Sequence, residues 1–115
     1  MKVISLNTVQ KVPVDMPGAE GAFKQLPIGS ADGAPTFSMR VFTVQPGGHT
    51  PFHTHEAEHV NYVIAGEGEL VSESGATPIR GGDFALVLPG EKHQYRNTSA
   101  DCDLVLICAV PKAFE

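Results

Sequence analysis

The stretch Gly47-Gly48-His49-Thr50-Pro51-Phe52-His53-Thr54-His55-Glu56-Ala57-Glu58-His59 holds four of the five histidines of this 115-residue chain. Side chains two residues apart on an extended strand point to the same face, so His53 and His55 can present their imidazoles to one point. A fully extended chain would place His59 about 13 Å beyond His55, too far for metal–nitrogen bonds of about 2.1 Å. The polar segment 56–58 is therefore predicted to bend, which puts His59 on the next strand, opposite the pair.

The fifth histidine, His93, follows the turn signal Pro89-Gly90 and is predicted to arrive from a third strand. Four inward imidazoles from adjacent strands of a barrel would form a cage for one metal ion. A His-x-His pair alone is weak support for such a site, because an isolated histidine is usually a surface or satisfied core residue. His49 has no spacing relation to the others and is interpreted as a loop residue.

Outside the histidines, short runs of β-branched, aromatic and aliphatic residues alternate with Gly, Pro, Asn and Asp, and no segment has a convincing helical period. This pattern is typical of an all-β protein. Many short strands in so short a chain favour a compact barrel or jelly roll. The predicted strands are 36–44, 60–65, 69–72, 77–80, 84–88, 93–97 and 102–110.

The domain organisation is simple, because 115 residues correspond to one ordinary domain. We expect a single domain over 1–115, with N-terminal strands and loops in 1–35 and the barrel core in 36–110. Within the N-terminal part, 3–6 and 8–12 are predicted as edge strands and 23–28 as a short strand, whereas 16–21 and 29–35 are predicted as loops.

Two motifs in the sequence resemble those of the cupin superfamily. The segment Gly47-x5-His53-x-His55-x3-His59-x6-Gly66 resembles its first motif, G-x5-HxH-x3-4-E-x6-G. The segment Gly82-x6-Pro89-Gly90-x2-His93-x3-Asn97 resembles the second, G-x5-PxG-x2-H-x3-N. The resemblance implies a double-stranded β-helix, which is a jelly-roll barrel, with a metal site inside.

The chain departs from this pattern at two places. His59 stands where the superfamily usually has a glutamate ligand, and the second motif has one extra residue before Pro89 and one fewer after it. Both features resemble small single-domain manganese cupins with four histidine ligands. Glu58, next to the missing position, is expected to face outward.

The resemblance implies one divalent metal ion per chain, held by His53, His55, His59 and His93. Imidazole suits Mn, Fe, Co, Ni, Cu and Zn alike, so the ligands alone do not select the metal. The resemblance favours Mn or Fe and leaves Zn, Ni, Cu and Co open.

The composition restricts the partners. The net charge is −5, the pI is about 5.4, and the basic residues are scattered. A nucleic acid or an anionic membrane is therefore not expected as a partner, and a small-molecule substrate is. No apolar run approaches 18 residues and no signal peptide is evident, so the expected compartment is the cytoplasm. Apolar N-terminal residues and uncovered edge strands favour a homodimer.

The two cysteines, Cys102 and Cys108, lie on one predicted strand, where their backbones would be about 20 Å apart. That separation excludes a disulfide, and both are interpreted as buried thiols of a reducing compartment.

The apolar walls of the site are expected from 60–65, 84–88 and 104–110. Tyr95 shares strand parity with His93 and is the candidate catalytic residue, the alternative being a packed aromatic side chain. Cys108 would face the pocket if Leu106 and Val110 face inward.

Arg40 shares a strand face with Phe42, and the sequence does not show whether that face is the inner one. If it is, Arg40 and Phe42 would contact the substrate and Arg40 could orient an anionic group. If it is not, Arg40 is a solvated surface charge.

Four neutral imidazoles would leave the full charge of a divalent ion uncompensated, which favours an anionic or chelating substrate. The function we expect is a dioxygenase that cleaves a C=C or C–C bond of a small organic molecule. A redox-neutral isomerase, cyclase or lyase is the alternative, for which Tyr95 is the one nearby general base. A non-enzymatic small-molecule-binding cupin is a third possibility.

Overall fold

Nine β-strands and three short 3₁₀ helices form the computed structural model, which describes residues 1–115. The strands are β1 (Val12–Pro13), β2 (Glu20–Ile28), β3 (Phe37–His49), β4 (His59–Ala65), β5 (Glu67–Ser72), β6 (Gly75–Arg80), β7 (Phe84–Val87), β8 (His93–Asn97) and β9 (Leu104–Pro111). The 3₁₀ helices are Leu6–Thr8, Ser30–Asp32 and Lys112–Phe114. None of these helices is long and apolar enough to cross a membrane.

All strand pairs are antiparallel and belong to one curled sheet of order β6-β5-β8-β3-β9-β4-β7, with β2 added along β3 and β1 along β2. Non-consecutive strands are therefore neighbours, as the crossovers of a jelly roll require. The predicted all-β jelly-roll barrel is confirmed.

Strand β9 lies between β3 and β4 and defines the interior of the barrel. Its residues alternate between fully buried (Leu104, Leu106, Cys108 and Val110) and half-buried, as a strand with one face in the core should. The register pairs Arg40 and Asn61 with Cys108, so these three side chains form one row across β3, β9 and β4. The next row inward is apolar, with Phe42, Leu106 and Val63.

The hydrophobic core begins at this apolar row and continues away from the polar row. Its seven buried members are Ala22, Val44, Val63, Ile79, Tyr95, Leu104 and Leu106. A tight turn between β4 and β5 closes this end of the barrel at Gly66, which has a positive φ of 89°. A Cβ atom there would lie 2.2 Å from the carbonyl oxygen of Asp103, so the turn requires glycine.

The predicted edge strands 3–6 and 8–12 are wrong. The chain forms a 3₁₀ helix at Leu6–Thr8 and pairs with β2 only at Val12–Pro13. The segment does not form a strand because the side chain of Gln25 binds its backbone. Gln25 Nε2 donates to the carbonyl oxygens of Leu6 and Val9, both at 3.0 Å. These hydrogen bonds hold the segment on the outer face of β2 without a strand ladder.

Three smaller expectations also need correction. His49 is not a loop residue but the last residue of β3, paired with Arg96 of β8. Strand β9 begins at Leu104, so Cys102 lies before it and is exposed rather than buried. Cys108 is buried, as expected, and neither cysteine forms a disulfide.

The outer face of β4 and β7 carries apolar side chains in contact with solvent. Val60, Ile64, Phe84 and Leu86 are between 44% and 77% exposed. The homodimer expected from the sequence stays a prediction.

Replacing Leu104 by alanine should destabilise the barrel strongly, because its side chain is completely buried in the core and does not line the cavity described below. We expect a loss of about 2–5 kcal/mol in the free energy of unfolding for Leu104→Ala, measured by urea denaturation. Leu86→Ala is the matched control and should change it by less than about 0.5 kcal/mol. Equal losses in both variants would contradict the assignment of the core.

Candidate metal centre

The histidines reach one point because two segments distant in sequence are joined by backbone hydrogen bonds. His53 N–H donates to the carbonyl oxygen of His93 at 3.1 Å, and His93 N–H donates to that of His53 at 3.0 Å. Gly90 N–H donates to His55 O at 2.8 Å, so the turn before β8 is fixed against the loop that carries His55. His59 is the first residue of β4, after the bend predicted at 56–58.

His55, His59 and His93 form a compact cluster in which one ring nitrogen of each lies within 4.8 Å of the others. The ring centroids are 4.0 Å apart for His55 and His59 and 4.8 Å apart for His55 and His93. His53 adjoins this group, because its Nε2 contacts Nε2 of His55 and its ring centroid lies 5.5 Å from that of His93. Three histidines are thus positioned to bind a metal, with the fourth beside them.

Backbone carbonyls orient two of the rings. Nδ1 of His53 lies 2.9 Å from the carbonyl oxygen of Pro51, and Nδ1 of His93 lies 2.9 Å from that of Glu91. A carbonyl only accepts, so each Nδ1 carries the ring proton and donates it. Nε2 of both rings then keeps its lone pair, which is how ligating histidines are usually prepared by their neighbours.

The buried position of the cluster keeps the imidazoles uncharged. Burial, reinforced by repulsion from the neighbouring histidines and Arg40, lowers the pKa of His55 to about 4 and that of His59 to about 3. Burial also lowers the pKa of His93. The neutral imidazole is the form that binds a metal, so these residues fit a divalent ion.

A cavity of about 300 Å³ opens beside the histidines. Much of its lining is apolar and comes from Val14, Met16, Phe42, Leu106 and Phe114. Small-molecule sites are mostly apolar clefts with a few polar groups, and their volumes begin at about this size. The cavity therefore suits a small organic molecule.

The polar side of the cavity is the row of Arg40, Cys108 and Asn61. Arg40 is 8% exposed and points inward, which decides between the two orientations left open by the sequence. Its Nη2 donates to Cys108 Sγ at 3.0 Å, and its Cζ lies 5.0 Å from the centroid of the Phe42 ring. No carboxylate pairs with this buried guanidinium.

Tyr95 is inward and buried, as its strand parity with His93 predicts. Asn61 Nδ2 donates to Tyr95 Oη at 2.6 Å, so the hydroxyl proton of Tyr95 is free to donate elsewhere. Burial raises the pKa of Tyr95. Three buried atoms of this region, Arg40 Nε, Asn61 Oδ1 and His55 Nδ1, have no hydrogen-bond partner. Such orphaned groups are costly in a protein interior and mark positions where a ligand can bind.

Part of the predicted wall is wrong. Residues 84–88 do not line the cavity, because β7 is the edge strand and Phe84 and Leu86 are 77% and 56% exposed. In 60–65 the residue that lines the cavity is Asn61, which is polar. From 104–110, Leu106 and Cys108 line it, in accord with the expectation. Glu58 is exposed, as expected.

Several lining residues were missed by the sequence reasoning. Val14, Met16 and Lys24 come from the N-terminal part, Thr50 and Pro51 from the loop before His53, and Phe114 and Glu115 from the C-terminal end. Apart from Lys24, which lies on β2, these residues belong to segments outside the strands, where no periodic pattern could place them. Asn61, a lone amide within the apolar run 60–65, was the one signal available.

The fold and the histidine cluster define a small jelly-roll barrel with three histidines positioned to bind a metal. Residues 40–110, more than half of the chain, match the model of the cupin domain family (Cupin_2). The chain therefore belongs to the cupin family.

Comparison with individual proteins gives further similarities. The chain is 32% identical over 66 residues to an oxalate-binding protein of Thermotoga maritima, a match covering 56% of this chain and 54% of the relative. The match thus spans about half the length of that curated relative. The fold of this chain is similar to that of the polyketide cyclase RemF from Streptomyces resistomycificus, with a TM-score of 0.90. The two are 29% identical, and the similarity covers 96% of this chain and 79% of the other. A predicted oxalate decarboxylase from Thermotoga maritima has the same fold, with a TM-score of 0.84 and 21% identity over 96% of this chain and 99% of the other.

Removal of a histidine should remove the metal. We expect protein purified without chelators to contain about one divalent ion per chain by inductively coupled plasma mass spectrometry, since the clustered imidazoles offer several neutral donors at one point. His59→Ala should lose most of it, whereas His49→Ala, the matched control, should keep it. Retention of the metal in His59→Ala would contradict the assignment of the site. His53→Ala distinguishes a four-histidine set, which it would weaken, from a three-histidine set.

Proposed function

We propose that this protein holds one divalent ion through His53, His55, His59 and His93 and is an enzyme that acts on a small enolisable carbonyl compound. The observation that carries the proposal is the buried polar row beside the histidines, with its unpartnered Arg40 Nε and Asn61 Oδ1. In this proposal the reaction is redox-neutral carbon chemistry at an enolate, such as ring closure or isomerisation.

The charges of the site favour an anionic substrate group. The imidazoles are neutral ligands, and the buried guanidinium of Arg40 has no carboxylate partner. A bound divalent ion would act as a Lewis acid toward the oxygens of the substrate. Arg40 Nε is available to donate a hydrogen bond to a negatively charged oxygen of the same molecule, and such charge-assisted bonds are strong.

The neutral polar groups favour an enol. Asn61 Oδ1 is an unpaired acceptor and suits an O–H donor, while the Tyr95 hydroxyl can donate to a carbonyl oxygen. An enolisable dicarbonyl compound carries both an O–H and a C=O group. The apolar lining would hold its carbon skeleton and exclude water.

The similarity to the polyketide cyclase RemF supports the redox-neutral reaction, since it extends over 96% of this chain. Fold alone fixes no reaction, so the assignment depends on the polar row and requires a direct test.

Dioxygenase-type cleavage of a C=C or C–C bond is the second candidate. It is favoured by a different observation: the one carboxylate among the cavity-lining side chains is Glu115. That carboxylate accepts hydrogen bonds from Ser30 N–H and from the Ser30 and Ser38 hydroxyls. It is therefore engaged away from the histidines, and no carboxylate base stands ready to remove a proton from carbon. Mn or Fe is the metal proposed for this reaction, with Zn, Ni, Cu and Co as alternatives.

The two reactions are separated by their use of oxygen. Metal-loaded protein would be incubated with a panel of 1,3-diketones, aryl polyketones and alkenyl phenols, with and without air, and followed by mass spectrometry and an oxygen electrode. We expect oxygen-independent turnover of an enolisable member to a product of equal mass or of mass lowered by water. Substrate-dependent oxygen uptake would replace the redox-neutral assignment with the dioxygenase. Binding without turnover, for example of oxalate, would identify a binding protein and contradict enzymatic function.

Loss of the guanidinium should weaken substrate binding and turnover. For Arg40→Gln we expect kcat/KM to fall about 10- to 100-fold, because a hydrogen bond to a charged group contributes about 1.5–3 kcal/mol. Arg96→Gln is the matched control, since Arg96 pairs with Glu69 on the surface, and its kinetics should equal those of the wild type. Unchanged kcat/KM in Arg40→Gln would contradict a role for Arg40 in binding an anionic group.

A further inference from the structure

His59 differs from the other histidines in what surrounds its second ring nitrogen. Its Nδ1 lies 3.4 Å from Arg40 Nη2 and 3.6 Å from Cys108 Sγ. The same Arg40 Nη2 donates to Cys108 Sγ at 3.0 Å, so the three groups form a closed triangle. All three residues are buried, with exposed fractions of 8% for Arg40, 5% for His59 and 1% for Cys108.

Backbone carbonyls hold Nδ1 of His53 and His93, whereas no carbonyl or carboxylate contacts Nδ1 of His59. Its two neighbours impose opposite requirements on the ring. A guanidinium can only donate, so an Arg40–His59 hydrogen bond places the ring proton on Nε2. A thiol can donate or accept, and where the Cys108 sulfur accepts, the His59–Cys108 hydrogen bond places the ring proton on Nδ1.

These two neutral tautomers are not equivalent for metal binding. Because Nδ1 lies against Arg40 and Cys108, Nε2 is the nitrogen of His59 left for an ion, and it can bind one only when it carries no proton. The tautomer selected by Arg40 blocks the metal, and the tautomer selected by Cys108 permits it.

We propose that Cys108 is a positioning residue for His59: its sulfur accepts the Nδ1 proton of His59 and the N–H of Arg40 together, which keeps Nε2 of His59 available. This inference rests on the metal site of the proposed function, but it concerns the tautomer of the metal-free protein. In this arrangement the thiol proton of Cys108 points away from His59, and the carbonyl oxygen of Ala109, 4.0 Å from Sγ, is an acceptor for it. The sulfur lone pairs remain for the two nitrogen donors.

The fold itself fixes this contact. Cys108 is the register partner of Arg40 on β3 and of Asn61 on β4, and His59 lies two residues before Asn61 on the same face of β4. The Cys108 side chain therefore contacts both the guanidinium and the ring. A side chain of similar volume without an acceptor would leave Nδ1 of His59 with Arg40 as its one polar neighbour.

The test compares Cys108→Val, Cys108→Ser and the exposed-thiol control Cys102→Val with the wild type. Nitrogen-15 NMR of histidine-labelled, metal-free protein reports which ring nitrogen carries the proton, and competition with a chelator gives the metal dissociation constant. We expect a Nδ1-protonated His59 in the wild type, a shift toward the Nε2-protonated form in Cys108→Val, and a 10- to 100-fold weaker metal affinity in that variant. Cys108→Ser, which keeps an acceptor, should restore both properties, and Cys102→Val should alter neither.

A double variant gives an independent readout. In Cys108→Val/Arg40→Met the competing donor is also gone, so the metal affinity should recover part of the loss seen in Cys108→Val. The inference is overturned by an Nε2-protonated His59 in the wild type, or by Cys108→Val with unchanged tautomer and affinity. The wild-type spectrum decides even if Cys108→Val fails to fold.

Failure of the proposed function has a different signature. Suppose that the wild-type protein shows Nδ1-protonated His59 but binds no divalent metal in the chelator assay. This result would contradict the proposed metal-dependent enzyme and would still support the assigned tautomer of His59.

Discussion

The register of β9 against β3 and β4 is the constraint on which the site depends. Side chains alternate across a strand, so a slip of one residue would turn the entire inward set of β9 toward the outside. The observed register puts Cys108 in one row with Arg40 and Asn61, and Leu106 in the next row with Phe42 and Val63. A polar layer beside the histidines therefore rests directly on an apolar layer that continues into the core.

This layering explains how buried polar atoms are tolerated. The unpartnered Arg40 Nε and Asn61 Oδ1 lie next to well-packed side chains such as Val63 and Leu106, both about 1% exposed. Burial of apolar surface by the lower rows offsets the cost of leaving those atoms unsatisfied. Local strain of this kind is commonly concentrated at functional sites and supported by the surrounding structure.

Much of the fold could be predicted from the sequence where patterns are periodic or turns are marked by glycine and proline. Strands β4, β8 and β9 were placed to within two residues, and the bend that brings His59 opposite His53 and His55 followed from strand geometry alone. The N-terminal segment was wrong because a single distant side chain, Gln25, captures its carbonyl groups. Likewise, the apolar sequence of 84–88 predicts a buried strand, but β7 lies at the edge of the sheet. A local sequence pattern does not show whether a strand is central or at an edge.

The site also contains residues that could be predicted from the sequence and residues that could not. The histidines could be predicted because His93 follows a turn and the spacing of His53 and His55 suits an extended segment, although the structure places these two in the loop between β3 and β4. The inward direction of Tyr95 follows from its parity with His93. The orientation of Arg40 could not be predicted, because β3 buries residues on both faces: Arg40 and Val44 as well as Val41 and Thr43. Gln25 pairs with Val41, and the N-terminal segment covers that outer face. Because this cover makes the outer face of β3 apolar as well, the hydrophobic pattern of the strand does not distinguish its inner face from its outer face.

The exposed position of β7 has a consequence for handling the protein. The segment 84–88 consists of Phe, Ala, Leu, Val and Leu, has no charge, and lies on a strand with one unpaired backbone edge. Segments of this composition can recruit identical strands from other molecules and seed aggregates. Asp83 and Pro89 flank it at both ends, where a charge and a missing N–H each interrupt strand addition. These two residues act as gatekeepers that confine the hazard to five positions of the chain.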